Sequence, residues 1–186
     1  GVSMVANPTF IDQFQQFEFL SLQGATLGSF GLKKPIMCNG ANLAYLKACF
    51  YEVNGFENNN QVASGDDVFM LEKIYNRYPT EVHYLKHDAF IVLTQTEKNW
   101  NQLINQKVRW ASKNGNSQNT LNKLVAVSVA LGNVAVVAGL FCWGFGLLSF
   151  ALFYWGFAAK IVADTLLMVL AGRYLKPSKT RYYLAS

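Results

Sequence analysis

The run LVAVSVALGNVAVVAGLFCWGFGLLSFALFYWGFAA fills residues 124–159 and holds no charged side chain. About 20 apolar residues cross a bilayer once, so a run of this length predicts a membrane hairpin. Its own punctuation divides it. Cys142-Trp143-Gly144-Phe145-Gly146 reads as a tight turn between spans over 121–141 and 147–172. Lys113 precedes the first span and Lys123 stands in its first turn, and Arg173 and Lys176 follow the second. Both basic flanks therefore belong on the cytoplasmic side of a cell (inner) membrane crossed more than once. Trp143 and Phe145 then fall at the opposite interface, an aromatic-belt position.

Upstream of this run the chain changes character. Residues 1–113 mix charges, Asn, Gln and aromatics, enough chain to bury a small core. Residues 114–122 are polar and read as a linker, 123–173 as the two membrane helices, and 174–186 as a basic cytoplasmic tail. The hydrophobic content of 52% and mean hydropathy of +0.14 thus reflect mainly the C-terminal part. The net charge of +5 is placed with equal unevenness. Arg173, Lys176, Lys179 and Arg181 carry most of it, positioned to meet membrane lipid headgroups. No basic face interleaved with aromatics occurs elsewhere, so nucleic acid is not an expected partner.

Three cysteines, Cys38, Cys49 and Cys142, form no CxxC. His83 and His87 are four apart but sit beside Tyr84 and Leu85 in a strand-like stretch. Neither a disulfide framework nor a zinc site is predicted, and no metal ligand is assigned to this chain. There is no signal peptide, and Gly1 leads straight into an amphipathic stretch, so the protein is expected to begin upstream.

Phe10, Ile11, Phe14, Phe17, Phe19 and Leu20 give helical periodicity over 9–22, with Pro8 at the entrance. The glycine-rich residues 24–31 follow a helix, whereas phosphate-binding glycine loops follow a strand, so they read as a flexible loop. A short strand is expected over 35–38 and a helix over 43–53 that Asn54-Gly55 stops. Residues 57–65 read as polar loop and 66–78 as a helix with Val68, Leu71, Ile74 and Tyr75 on one face. Strands over 81–85 and 89–94 follow. Thr96 then caps a helix over 97–113 whose face shows Trp100, Leu103, Ile104, Val108 and Trp110.

Two groups of residues could carry chemistry. Asp66 and Asp67 open a helix, where Asp serves as an ordinary cap. A carboxylate there could equally act as a general base for a hydroxyl nucleophile. Gln106, Arg109 and Trp110 share one helix face at i, i+3 and i+4. Arg can grip a diphosphate by a forked contact, and Trp offers a flat surface for a sugar ring. The same pattern also describes an amphipathic helix lying at a membrane surface with Trp as its anchor.

The order of these groups resembles the second half of a family 2 glycosyltransferase catalytic domain of GT-A type, the group that includes processive polysaccharide synthases. That family carries a Gly motif at the acceptor site, then Glu-Asp or Asp-Asp, then Gln-x-x-Arg-Trp and membrane helices. Here Asn39-Gly40-Ala41-Asn42-Leu43-Ala44-Tyr45-Leu46-Lys47, with Val53-Asn54-Gly55-Phe56, looks like the first. Gly65-Asp66-Asp67 looks like the second, and Gln106-Lys107-Val108-Arg109-Trp110 like the third. The resemblance covers residues 10–113 and the helices after them. It implies an α/β fold: the C-terminal, acceptor-side portion of a GT-A domain, followed by a transmembrane helical hairpin.

It also implies roles. Asp67 would be the catalytic base and Asp66 its acidic neighbour, where Glu is more usual. Arg109, assisted by Gln106, would meet the diphosphate of a nucleotide-sugar donor. Trp110 would stack on the acceptor, a saccharide or lipid-linked sugar, and Cys38, Asn39 and Gly40 would line the acceptor pocket. Lys47 stands where Arg is common. The family's Asp-x-Asp metal motif is absent from this sequence. By resemblance the magnesium or manganese ion and its ligands belong to a preceding half, and this portion alone should be inactive. Two other readings stay open: a non-catalytic, membrane-anchored assembly module of a polysaccharide synthesis or export complex, and a small transporter subunit built on the hairpin. Lys160 and Asp164, one helical turn apart within the second span, read either as a self-neutralising pair or as the lining of a polar path.

Overall fold

The structure, a computed structural model, describes residues 1–57, 65–116 and 120–175. Among these the chain is mostly helical. Its one sheet pairs β1 (Val2–Val5) in parallel with β2 (Val92–Gln95), Val2 opposite Val92 and Val5 opposite Gln95. The strands expected over 35–38 and 81–85 do not form. Pro35 has no N–H to give a ladder. Ile36 is buried, and its N–H points at Ser29 Oγ, 3.3 Å away. Residues 82–87 run irregularly into a 3-10 turn, Asp88–Phe90, ahead of β2.

Helix α1 (Phe10–Gly31) starts at Thr9, whose Oγ1 accepts the Asp12 N–H at 3.3 Å. It then runs through the stretch 24–31 that reads as a loop in the sequence. Packing overrides the glycines. Gly24 lies against the last helix, α6 (Phe150–Leu175), where a Cβ would fall 3.0 Å from Leu167 Cδ1 and 3.2 Å from Ala171 Cβ. Gly24 therefore serves close approach of two helices. Around this contact Leu20, Ile91, Ala171, Tyr174 and Leu175 form a buried cluster, with Leu27, Tyr84 and Met168 packed on it. The Tyr174 hydroxyl donates to the carbonyls of Leu85 and His87 at 3.4 and 3.3 Å. The last turn of α6 is thus the floor of the polar part of the protein.

Helix α2 (Lys47–Glu52) is shorter than expected and ends in a turn where Asn54 and Gly55 have φ of 56° and 48°. At Gly55 a Cβ would also meet the Phe50 ring at 2.6 Å, so glycine is needed on both counts. Helix α3 (Asp66–Arg77) forms where the sequence places it, buries Met70 and Leu71, and sends Lys73 back to that turn. The Lys73 ammonium donates to the carbonyls of Val53 and Gly55, each at 2.8 Å, and of Glu57 at 3.2 Å.

Helix α4 (Trp100–Asn116) begins later than the Thr96 cap implied. Asn99 Oδ1 accepts the Gln102 N–H at 3.0 Å and caps it instead, while the Thr96 hydroxyl donates to Asp12. Its apolar residues split into two faces. Leu103 is buried and Trp110 packs on Val2, Met4 and Phe19, whereas Trp100, Ile104 and Val108 point outward. Helix α5 (Thr120–Gly144) and α6 are each long and apolar enough to cross a membrane, and neither buries its most apolar stretch within the protein. Helix thus covers most of the segment 114–122 read as linker. Midway along α6 the Lys160 ammonium pairs with Asp164, and its stem lies over Gly132 of α5. The tail residues Lys176, Lys179 and Arg181 lie outside the described residues.

Candidate functional site

Asp67 sits in the first turn of α3, one residue past Asp66, after Gly65 has turned the chain with φ of 105°. A left-handed residue there delivers the acidic pair at the helix start at no steric cost. Both Asp67 oxygens are held. Oδ1 accepts the N–H of Val68 and Oδ2 that of Gly40, each at 2.9 Å. The first is a contact to the next residue within the first turn; the N-cap position is Gly65, which makes no side-chain cap bond. The second is a tertiary contact across 27 residues of chain. These two bonds fix the carboxylate in plane.

The partner loop is built for that contact. Cys38 Sγ donates to the Asp67 carbonyl at 3.2 Å. Asn39 Oδ1 caps the 3-10 turn Gly40–Asn42 by accepting the Ala41 N–H at 3.0 Å. Asn42 then ties the turn to the sheet, its amide donating to the carbonyls of Gly1 and Phe90, both at 2.6 Å. Cys38, Asn39, Gly40 and Asp67 are therefore one structural unit. Asp67 is half-buried and Asp66 exposed, so the acidic pair opens to solvent on one side.

Gln106, Lys107 and Trp110 form a second unit. Gln106 Nε2 donates to Glu97 Oε1 at 2.7 Å, and Gln106 Oε1 is buried with no hydrogen bond. Glu97 is gripped through its backbone by the buried Gln15 amide, at 2.8 Å to its N–H and 3.0 Å to its carbonyl. Lys107 pairs with Glu18 at 2.7 Å and lies over the Trp110 ring, 4.3 Å from its centroid. These contacts clamp α4 to α1. Arg109 stands on the exposed side of α4. Among the described residues α3 and α4 are not a packed pair, so the structure assembles the two motifs as separate groups.

A cleft of about 430 Å³ opens at the other end of the strands, lined by Asn7, Thr9, Asp12, Gln95, Thr96 and Lys98 among others. Asp12 is buried there. The Thr96 hydroxyl, hydrogen-bonded to Oδ1 at 2.5 Å, holds its carboxyl below the usual range, aided by Thr9 and Asn7 and opposed by desolvation. Sequence reasoning missed this cleft because β1 forms one wall, and nothing local marks β1 as a strand.

Among the described residues no three His, Cys, Asp or Glu side chains gather as a metal-ligand group. The described residues do not fit a divalent ion. Comparisons with known protein families, with curated proteins and with solved structures find no match to this chain.

Proposed function

We propose that this chain is the acceptor side of a membrane-bound, inverting glycosyltransferase of GT-A type, with Asp67 as base. The observation that carries the reading is the direct bond between the two motifs that would have to meet, Gly40 N–H to Asp67 Oδ2. In the proposed reaction a hydroxyl of a saccharide or lipid-linked acceptor attacks the anomeric carbon of a nucleotide-diphosphate sugar. Its proton passes to an Asp67 oxygen, the new C–O bond forms, and the bond to the diphosphate breaks with its electron pair leaving on the nucleoside diphosphate. A carboxylate fixed in position is what proton removal requires. Arg109, on the exposed side of α4, would bind the diphosphate, assisted by Gln106, whose buried Oε1 has no hydrogen bond. Trp110 would meet the acceptor ring once Lys107 moves aside, since Lys107 lies over it here. The metal, magnesium or manganese, would be held by residues outside this chain. The catalytic part would lie on the cytoplasmic face, where nucleotide sugars are made.

One observation favours a second reading. Gln106 and the Lys107–Trp110 pair are engaged in holding α4 to α1, as a non-catalytic membrane-anchored module would also require. A donor panel separates the two. Membranes carrying the full-length protein, given a set of labelled nucleotide sugars, should release nucleoside diphosphate and label an acceptor with at least one donor. Release with none of the set would favour the module.

A further inference from the structure

We propose that Tyr45, Phe50, Tyr51 and Phe56 form an aromatic ledge that binds the saccharide acceptor behind its reacting hydroxyl, and that Lys73 is the positioning residue that fixes this ledge to the helix of Asp67. The place of the ledge in the reaction rests on the reading of this chain as the acceptor side of a glycosyltransferase.

The ledge is surface and not core, for α2 buries none of its residues. Its rings gather around the half-buried Phe50. Tyr45 stacks on it at 6.1 Å between centroids, and Tyr51 and Phe56 stand edge-on at 5.6 and 5.2 Å. Tyr45, Tyr51 and Phe56 stay exposed to the extent of 40%, 63% and 40%. Scattered exposed apolar residues are ordinary, but a joined set of rings marks a binding surface. The chemistry of this set selects a sugar. A sugar ring has an apolar C–H face edged by hydroxyls, and tyrosine offers the complement, an apolar face that ends in a hydroxyl. The rim is polar too: the Lys47 ammonium lies 5.8 Å from the Tyr51 ring centroid, and Glu52 and Asn54 are exposed. An apolar protein partner would strip water from these groups without pairing them, whereas sugar hydroxyls can pair with each.

Position ties the ledge to the acid pair. Since α2 buries no side chain, polar contacts must seat it. The Lys73 ammonium gathers the carbonyls of Val53, Gly55 and Glu57, with that of Asn54 at 3.5 Å, and lies 4.9 Å from the Phe69 ring centroid. One cation thus satisfies carbonyls at the end of α2 and in the turn that carries Phe56. The Tyr78 hydroxyl, donating to Glu52, is a second tie from α3. Lys73 follows Asp67 by six residues on α3, about 9 Å along the axis at 1.5 Å per residue. From the other side, Gly40, bonded to Asp67 Oδ2, leads through the Gly40–Asn42 turn to Tyr45. The ledge is therefore held to the acid pair at both of its ends. The span between them is one that an oligosaccharide covers and a single sugar ring does not.

The test is binding, read by saturation-transfer NMR from protein to sugar C–H protons. Full-length protein in detergent is mixed with cellotetraose, maltotetraose or tetra-N-acetylchitotetraose. Wild type and Tyr45→Phe should saturate at least one of the three. Tyr45→Leu should weaken that binding by about threefold to tenfold, the scale of a ring-face contact. Tyr45 is exposed, so this variant keeps the fold and reads the ledge whatever Lys73 variants do. Lys73→Met keeps the stem but loses the donors and should weaken binding by a similar factor, and Lys73→Arg, which restores donors, should recover most of it. Saturation of none of the three, or equal binding by wild type and Tyr45→Leu, would overturn the ledge. Equal binding by wild type and Lys73→Met would overturn the role of Lys73. Nucleoside diphosphate release from the donor panel reads the transferase assignment separately. Tyr45-dependent binding with no release from any donor would keep the ledge as a saccharide site and overturn its place in the reaction.

Discussion

Replacing Gly24 with leucine should pull the polar part of the protein off its membrane anchor, and Gly28 four residues on supplies the control. A Cβ at Gly28 would meet nothing within 4 Å, so Gly28→Ala adds helix propensity alone and should stabilise by about 0.5–1 kcal/mol. Gly24→Ala receives the same gain. Its Cβ, however, would sit 3.0 Å from Leu167 Cδ1 and 3.2 Å from Ala171 Cβ. The leucine tip can swing away, but the Ala171 methyl moves only with the α6 backbone. Overpacking costs about 1–3 kcal/mol, so alanine should come out between neutral and about 2 kcal/mol destabilising. Leucine cannot be seated without parting the helices and should cost about 3 kcal/mol. For a chain of this size that is about 6–12 °C in Tm. The assay is thermal unfolding in detergent followed by near-ultraviolet circular dichroism. Gly24→Leu within about 1 kcal/mol of Gly28→Leu would refute the α1–α6 contact as the seat of the polar part.

Further outcomes follow from individual contacts. Asp164→Leu leaves the Lys160 charge unpaired inside α6, and a lone Lys at a span centre costs about 2.5–3.5 kcal/mol on a membrane-insertion scale, so Lys160→Leu with Asp164→Leu should insert better than Asp164→Leu alone by about that amount. Equal insertion of the single and double variants would show that the unpaired Lys160 charge carries no such cost. Thr96→Val removes the hydroxyl that lowers the Asp12 pKa. A depressed carboxyl contributes stability above its unfolded value of 3.8 and loses it as pH falls through the lower folded value. Wild type should therefore lose this contribution below about pH 3.8, and the variant's disadvantage, visible in chemical denaturation at neutral pH, should shrink there. Cys142, at the turn end of α5, should be the one cysteine labelled from outside intact cells by an impermeant thiol reagent. Labelling of Cys38 and Cys49 first would reverse the orientation.

The long periodic and apolar elements were readable from sequence because their signals are local. Helix α3 and the two apolar helices form close to their expected bounds, and the stop at Asn54-Gly55 holds with both residues at positive φ. What sequence could not supply was partnership. Strand β1 has four residues and finds its parallel partner some ninety residues away, so no short window reveals it. Gly24 reads as looseness until Ala171 is set beside it. Five apolar residues of α4 read as one face, yet the seating against α1 turns Trp110 in and Trp100 out. At the site, the Asp66-Asp67 motif and the loop from Cys38 were both visible, and their hydrogen bond is the tertiary fact that joins them. Glu97, Gln15 and Glu18, which clamp the Gln106–Trp110 segment, carry no motif and emerge only from packing.

The claim that Asp67 is a base, and more than a structural tie, is tested most directly by Asp67→Asn in the full-length protein. The amide has one oxygen, which can still accept the Gly40 N–H and keep the loop joined to the helix, at the loss of the local Val68 bond. It cannot take a proton from an acceptor hydroxyl. Sugar transfer should fall by about 10²–10⁴-fold, with donor affinity within about twofold of wild type. A variant that keeps more than about a tenth of the wild-type rate would contradict the assignment.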